Sequence, residues 1–196
     1  MTFQFRLAIL AAAALAIVLI QLVPWEMDEN PAVLSAVAQL GGEWVDRTAP
    51  PFELPDTTDQ PHKLADYRGK VVFLNFWASF CDPCREEMPS MEALVRQYQN
   101  QGMVMVAVSH DPEKADMDGF MAQFLPGERS AMTVLWDPAA AVAKSYGTEL
   151  IPETYIIDRE GRIVARFVNA YDWTRPEVKQ LIEALLRADK TSRRLL

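Results

Sequence analysis

Residues 71–84 read VVFLNFWASFCDPC, a continuous apolar run that leads straight into two closely spaced cysteines. The run from Val71 to Phe76 follows Gly69 and has the pattern of a strand buried on both faces, which requires a sheet with helices on either side. A helix is expected from about Cys81 to Gln101, closed by Gly102. Cys81 then falls at the helix N-terminus, where unpaired N–H groups and the helix dipole stabilise a thiolate. Cys84 falls one turn inside, placed to attack a mixed disulfide and release the product. No other cysteine occurs among the 196 residues, so the disulfide framework of a small secreted module is excluded. A purely structural bridge is disfavoured, because so short a loop restricts little unfolded-state entropy. Zinc would need further ligands, and His62 and His110 are the only histidines, so no metal is expected.

The rest of the chain alternates strands and helices. Residues 52–54 and 62–64 flank a turn-rich DTTDQP and suggest a small hairpin ahead of the main sheet. Met103 to Val108 reads as a second buried strand, followed by a helical stretch around Pro112 to Phe124. Thr133 to Trp136 reads as a short strand, and Pro138 to Tyr146 as a helix ending at Gly147. Tyr155 to Asp158 and Ile163 to Phe167 flank Arg159-Glu160-Gly161 as an antiparallel hairpin, and a last helix runs from about Pro176 to Arg187. This order, βαβ then ββα, gives an α/β fold with a mixed central sheet flanked by helices on both faces.

Leu7 to Val23 contains seventeen residues with Gln21 as the sole polar interruption. As a helix it spans roughly 25 Å, and Phe3, Phe5 and Trp25 extend it toward the ~30 Å of a hydrocarbon core. Arg6 precedes the run and Glu26, Asp28 and Glu29 follow it, which orients the N-terminus to the cytoplasm and the remainder outside. Residues 1–25 are therefore expected to anchor the chain in a membrane, with a cleaved signal peptide as the alternative. Residues 26–48 read as a tether in which Ala32 to Leu40 can make a short helix, residues 49–189 as the domain, and residues 190–196 as a tail. A net charge of −8 argues against nucleic acid as a partner.

The stretch FLNFWASFCDPCREEMPSMEAL, residues 73–94, resembles the active-site segment of the membrane-tethered thiol–disulfide oxidoreductases of the TlpA/ResA/CcmG family. The likeness extends from about Ala49 to Leu186 and takes in the early hairpin, the inserted helix after Val108 and the Ile151-Pro152-Glu153-Thr154 stretch. It implies a thioredoxin-like fold, a periplasmic location and disulfide exchange with protein partners. That exchange is often reductive and often serves cytochrome c maturation. It also implies that Cys81 attacks, that Cys84 resolves, and that Pro83 rigidifies the helix start, where proline costs no hydrogen bond. Pro89 is expected to kink the helix.

Glu87 stands three residues after Cys84 on the same helix face. The resemblance gives it influence over the thiols and a part in proton transfer. Asn75 occupies the place where thioredoxins tend to have a buried aspartate, which raises the need for Glu87. Pro152 is the expected cis-proline, and Ile151 before it the residue whose backbone pairs with an extended substrate segment. Trp77 and Phe80 are expected beside the motif as substrate contacts, Phe80 standing where the family usually has tryptophan. Asp82 places a carboxylate beside Cys81 and opposes a second negative charge there, pointing to a reductant or mild redox partner.

The expected partners are protein thiols and disulfides, with apocytochrome c among them, and a membrane electron-donor protein. No cofactor is called for, since two sulfurs carry the electron pair. Two alternatives share the fold. A peroxiredoxin-type peroxidase needs a Thr-x-x-Cys setting, where this chain has Ala78. A copper chaperone uses CxxxC, one residue longer than the spacing here.

Overall fold

The computed structural model describes residues 31–125 and 129–192. The apolar run, and with it the anchor or signal peptide, lies outside the described residues. Among the described residues no helix is long and apolar enough to cross a membrane.

In chain order the elements are α1 (Pro31–Gln39), β1 (Glu43–Thr48), β2 (Glu53–Pro55), β3 (Pro61–Lys63), a 3₁₀ turn (Leu64–Tyr67), β4 (Val71–Trp77) and α2 (Asp82–Tyr98). They continue with β5 (Met103–Ser109), α3 (Lys114–Phe124), β6 (Thr133–Trp136), α4 (Ala141–Tyr146), β7 (Glu153–Ile157), β8 (Arg162–Val168) and α5 (Pro176–Ser192). The main sheet has the order β1-β8-β7-β4-β5-β6, with β2 and β3 forming a separate hairpin. β4 lies at its centre, parallel to β5 and antiparallel to β7, with all seven residues buried. Alternation along β4 splits the core in two. Val71, Phe73 and Trp77 join side chains of α1, α2, α3 and α5, while Val72, Leu74 and Phe76 face Ala143 and Tyr146 of α4. The fold is the mixed, helix-covered α/β arrangement of thioredoxin-like proteins, with the hairpin β2–β3 before it and α3 inserted after β5.

Most element ends follow local chemistry. α2 passes into a 3₁₀ turn and stops at Gly102, whose φ of 100° is left-handed backbone that glycine adopts freely. α4 starts at Ala141, later than Pro138, because the Asp137 carboxylate accepts from the Ala141 and Val142 N–H groups.

The tether assigned to residues 26–48 is corrected from Pro31 onward. α1 buries Val33, Ala36 and Val37 and packs against α5, and β1 pairs antiparallel with β8 as an edge strand. The charged sequence EWVDRT hides this strand, and a register shift between Trp44 and Arg47 breaks its period-2 pattern. Gly42 joins the two elements where a Cβ would lie 2.5 Å from the Phe167 ring, so the chain there passes too close for any side chain.

Candidate active site

Cys81 is the N-cap of α2, in extended backbone, and Pro83 sits in the first turn, where its missing N–H is no loss. The two cysteines form a disulfide. Cys81 Sγ accepts a hydrogen bond from the Cys84 N–H at 3.3 Å, so the helix N-terminus already points a donor at the sulfur that would carry charge. Cys81 is partly exposed, whereas Cys84 is fully buried. A partner sulfur therefore reaches Cys81 first. Asp82, beside it, has a side chain 84% exposed and 3.4 Å from Arg85. Solvent and that guanidinium weaken the opposition to a Cys81 thiolate expected from its charge.

Glu87 lies one turn beyond Cys84, only 3% exposed. Its Oε1 accepts from Asn75 Nδ2 at 2.9 Å, and its Oε2 from the Tyr171 N–H at 3.0 Å and the Trp173 indole N–H at 3.1 Å. Burial pushes its carboxyl above the ordinary value of 4.5, and the three hydrogen bonds draw it partly back. Asn75, on β4, also donates to Thr154 Oγ1 of β7, tying the glutamate to the two central strands. Asn75, Tyr171 and Trp173 complete this carboxyl site. Only Asn75 was singled out from the sequence, since Tyr171 and Trp173 lie more than eighty residues from Glu87 and carry no local signal.

The Ile151–Pro152 peptide bond is cis, and the Ile151 carbonyl oxygen lies 3.8 Å from Cys81 Sγ. Phe80, next to Cys81 in the chain, is 67% exposed, and Leu150, next to Ile151, is 76% exposed, so each of the two loops that meet at the sulfur carries a large exposed apolar residue. Leu150 was not foreseen. The substrate contact expected of Trp77 is corrected: it is fully buried and packs against Phe120, because the last residue of β4 turns inward between α2 and α3. Pro89 lies within α2.

Other chemistry surrounds this centre. Asp111, at the end of β5, is fully buried, and its carboxylate accepts from the Ser79 N–H, the Ser79 hydroxyl and the Ser109 hydroxyl. Glu153, next to Pro152, is buried and bonded to Arg166, which also reaches Glu43 of β1. Burial lowers the His110 pKa, and its Nε2 has no hydrogen-bond partner. His62 bonds Asp56 and Tyr67 in the hairpin. Met103, Met105 and Met117 are buried in the core.

A cysteine pair at the start of a helix, on the C-terminal end of a central strand and against a cis-proline loop, defines a thioredoxin-fold thiol–disulfide oxidoreductase. The AhpC/TSA family model matches residues 45–166. Over 143 residues the chain is 36% identical to the thiol-disulfide oxidoreductase ResA of Geobacillus thermodenitrificans, covering 72% of this chain and 78% of that one. The ResA of Geobacillus kaustophilus is 35% identical over 153 residues, 77% of this chain and 76% of that protein. The crystal structure of a DsbE-type thiol:disulfide interchange protein from Chlorobium tepidum matches with a TM-score of 0.65 and 35% identity, covering 74% of this chain and 99% of that one. The chain belongs to the AhpC/TSA family as a ResA-like thiol–disulfide oxidoreductase.

Proposed function

We propose that the chain reduces disulfides in protein partners on the periplasmic face of the inner membrane, held there by its N-terminal segment, and that it serves cytochrome c maturation. The observation that carries this reading is the partly exposed Cys81 sulfur beside the Ile151 carbonyl, with Phe80 and Leu150 exposed on the two loops that meet there. An extended polypeptide fits such a place, pairing its backbone with the Ile151 loop and its apolar side chains with the two exposed residues.

In the forward direction the Cys81 thiolate attacks a partner disulfide, forming a mixed disulfide and releasing one partner thiolate, which takes up a proton. Cys84 then loses its proton, with Glu87 the adjacent acceptor, and attacks Cys81 Sγ. The second partner thiol leaves protonated and the Cys81–Cys84 disulfide remains. A membrane electron-donor protein returns two electrons and two protons to it by the reverse exchange. The resemblance to maturation proteins and the Pro152-Glu153-Thr154 run support the cytochrome c assignment, and the apolar segment supports the location.

Replacing Cys84→Ser in the full chain and recovering disulfide-linked partners from native membranes tests this reading. Apocytochrome c joined to Cys81 is the expected product, lost in a Cys81→Ser control. Recovery of unrelated proteins alone would overturn the maturation role.

A further inference from the structure

The loop from Ala78 to Phe80 joins the central strand to Cys81, and its geometry decides where the reactive sulfur sits. Within the loop, the Cys81 N–H bonds the Ala78 carbonyl at 3.2 Å. The Ser79 N–H is 3.1 Å from each Asp111 carboxylate oxygen, and the Ser79 hydroxyl is 2.6 Å from Oδ1. Asp111 is itself fixed. Its Oδ2 accepts from the Ser109 hydroxyl at 2.6 Å, its N–H donates back to that oxygen at 3.0 Å, and its carbonyl accepts from the Trp136 indole at 2.8 Å. A fully buried carboxylate thus holds the redox loop to the ends of β5 and β6. An ionised carboxylate only accepts, and here the groups facing it are donors.

We propose that Asp111 is a positioning residue for thiol–disulfide exchange: by clasping Ser79 it fixes the loop that delivers Cys81 Sγ to the Cys84 N–H at the start of α2. Without the clasp, Ser79 loses both acceptors and the loop is free to turn the sulfur away from the donor that stabilises its thiolate. Small misplacements of a reacting atom are costly, because exchange needs the sulfur in line with its target.

Asp111→Ala and Asp111→Asn remove the same charge, but only asparagine keeps the shape. Its Oδ1 takes both Ser79 donors, and its Nδ2 donates to Ser109, whose hydroxyl oxygen has two lone pairs. The purified full-length chain, reduced, is alkylated with iodoacetamide across pH, and its equilibrium with glutathione is measured. Alkylation of Cys81 at neutral pH is expected about tenfold slower in Asp111→Ala than in Asp111→Asn. The glutathione equilibrium shifts toward the disulfide in the same variant, because its thiolate is less stabilised. Ser79→Ala, which deletes the hydroxyl bond and keeps the N–H bonds, moves both readings the same way by about threefold. It keeps the test decisive if Asp111→Ala does not fold.

Asp137→Ala removes a second buried carboxylate, the one capping α4, and is expected to lower stability without changing either reading. Equal Cys81 reactivity in the alanine and asparagine variants would overturn the proposal, as would an Asp137→Ala protein that reproduces the loss. The inference rests on exchange at Cys81, not on which partner is reduced. A wild-type chain that fails to exchange with glutathione would indict the activity itself and not the clasp.

Discussion

Burial of Glu87 sets a cost against a use. Its carboxyl is held above 4.5 mainly by desolvation, so the folded protein binds a proton there more tightly than the unfolded chain does. Below pH 4.5 both states are protonated and the relative stability this confers is complete. As pH rises through the folded-state value the stability is lost, since the charged form must then be buried. Glu87→Gln removes this dependence, and a rotated Asn75 amide offers the new side chain its Oδ1, which now has no partner. The variant is therefore expected to gain stability over wild type progressively above pH 4.5, read as urea midpoints between pH 4 and 8. A difference that stays constant with pH would show that the carboxyl does not titrate as buried. The same variant is expected to slow disulfide exchange on the order of a hundredfold, the lower end of general acid–base contributions. The spacing of Cys84 and Glu87 made this residue legible in the sequence. Its partners on the Tyr171–Trp173 loop were not, since hydrogen bonds between distant segments leave no periodic trace.

Among the elements, β4 and α2 announce themselves, whereas α1 and β1 do not. A strand buried on both faces must be apolar throughout, and the helix after it needs a cap and a glycine stop. An edge strand answers to one neighbour only, and β1 carries three ionisable residues, Glu43, Asp46 and Arg47, without instability. Glu43 and Asp46 face arginines of β8, so the strand's charges are its cross-strand pairs. The join between α1 and β1 is tightly packed. Gly42→Ala would drive a methyl into the Phe167 ring and is expected to lower stability by about 1–3 kcal/mol in urea unfolding. An unchanged midpoint would mean that residues 31–48 contribute nothing to the domain.

Among the described residues, two of the three large apolar side chains that stand exposed, Phe80 and Leu150, are chain neighbours of Cys81 and Ile151 at the redox site. Phe80 and Leu150 lie far apart in sequence, and their loops come together where the Ile151 carbonyl reaches Cys81 Sγ. That is why Phe80 was legible from its place beside Cys81 and Leu150 was not. Phe80→Ser and Leu150→Ser are each expected to raise KM for a disulfide-bonded protein substrate severalfold while leaving reduction of the enzyme by dithiothreitol unchanged. Loss of both activities together would point to damaged folding instead of lost docking. The fold class was legible in the order of strands and helices and in the resemblance they carry, and the cysteine chemistry in the strand–helix junction that puts Cys81 at a helix N-terminus. The supports around that junction come from β5, β7 and the Tyr171–Trp173 loop, and only the folded chain brings them together. The central claim is that Cys81 alone receives the partner and Cys84 alone releases it. Mass spectrometry of reduced Cys84→Ser and Cys81→Ser chains mixed with a disulfide-bonded peptide tests it directly. Cys84→Ser should form a stoichiometric mixed disulfide at Cys81, and Cys81→Ser should form almost none because its remaining thiol is buried. An adduct that forms as readily at Cys84 would contradict the mechanism.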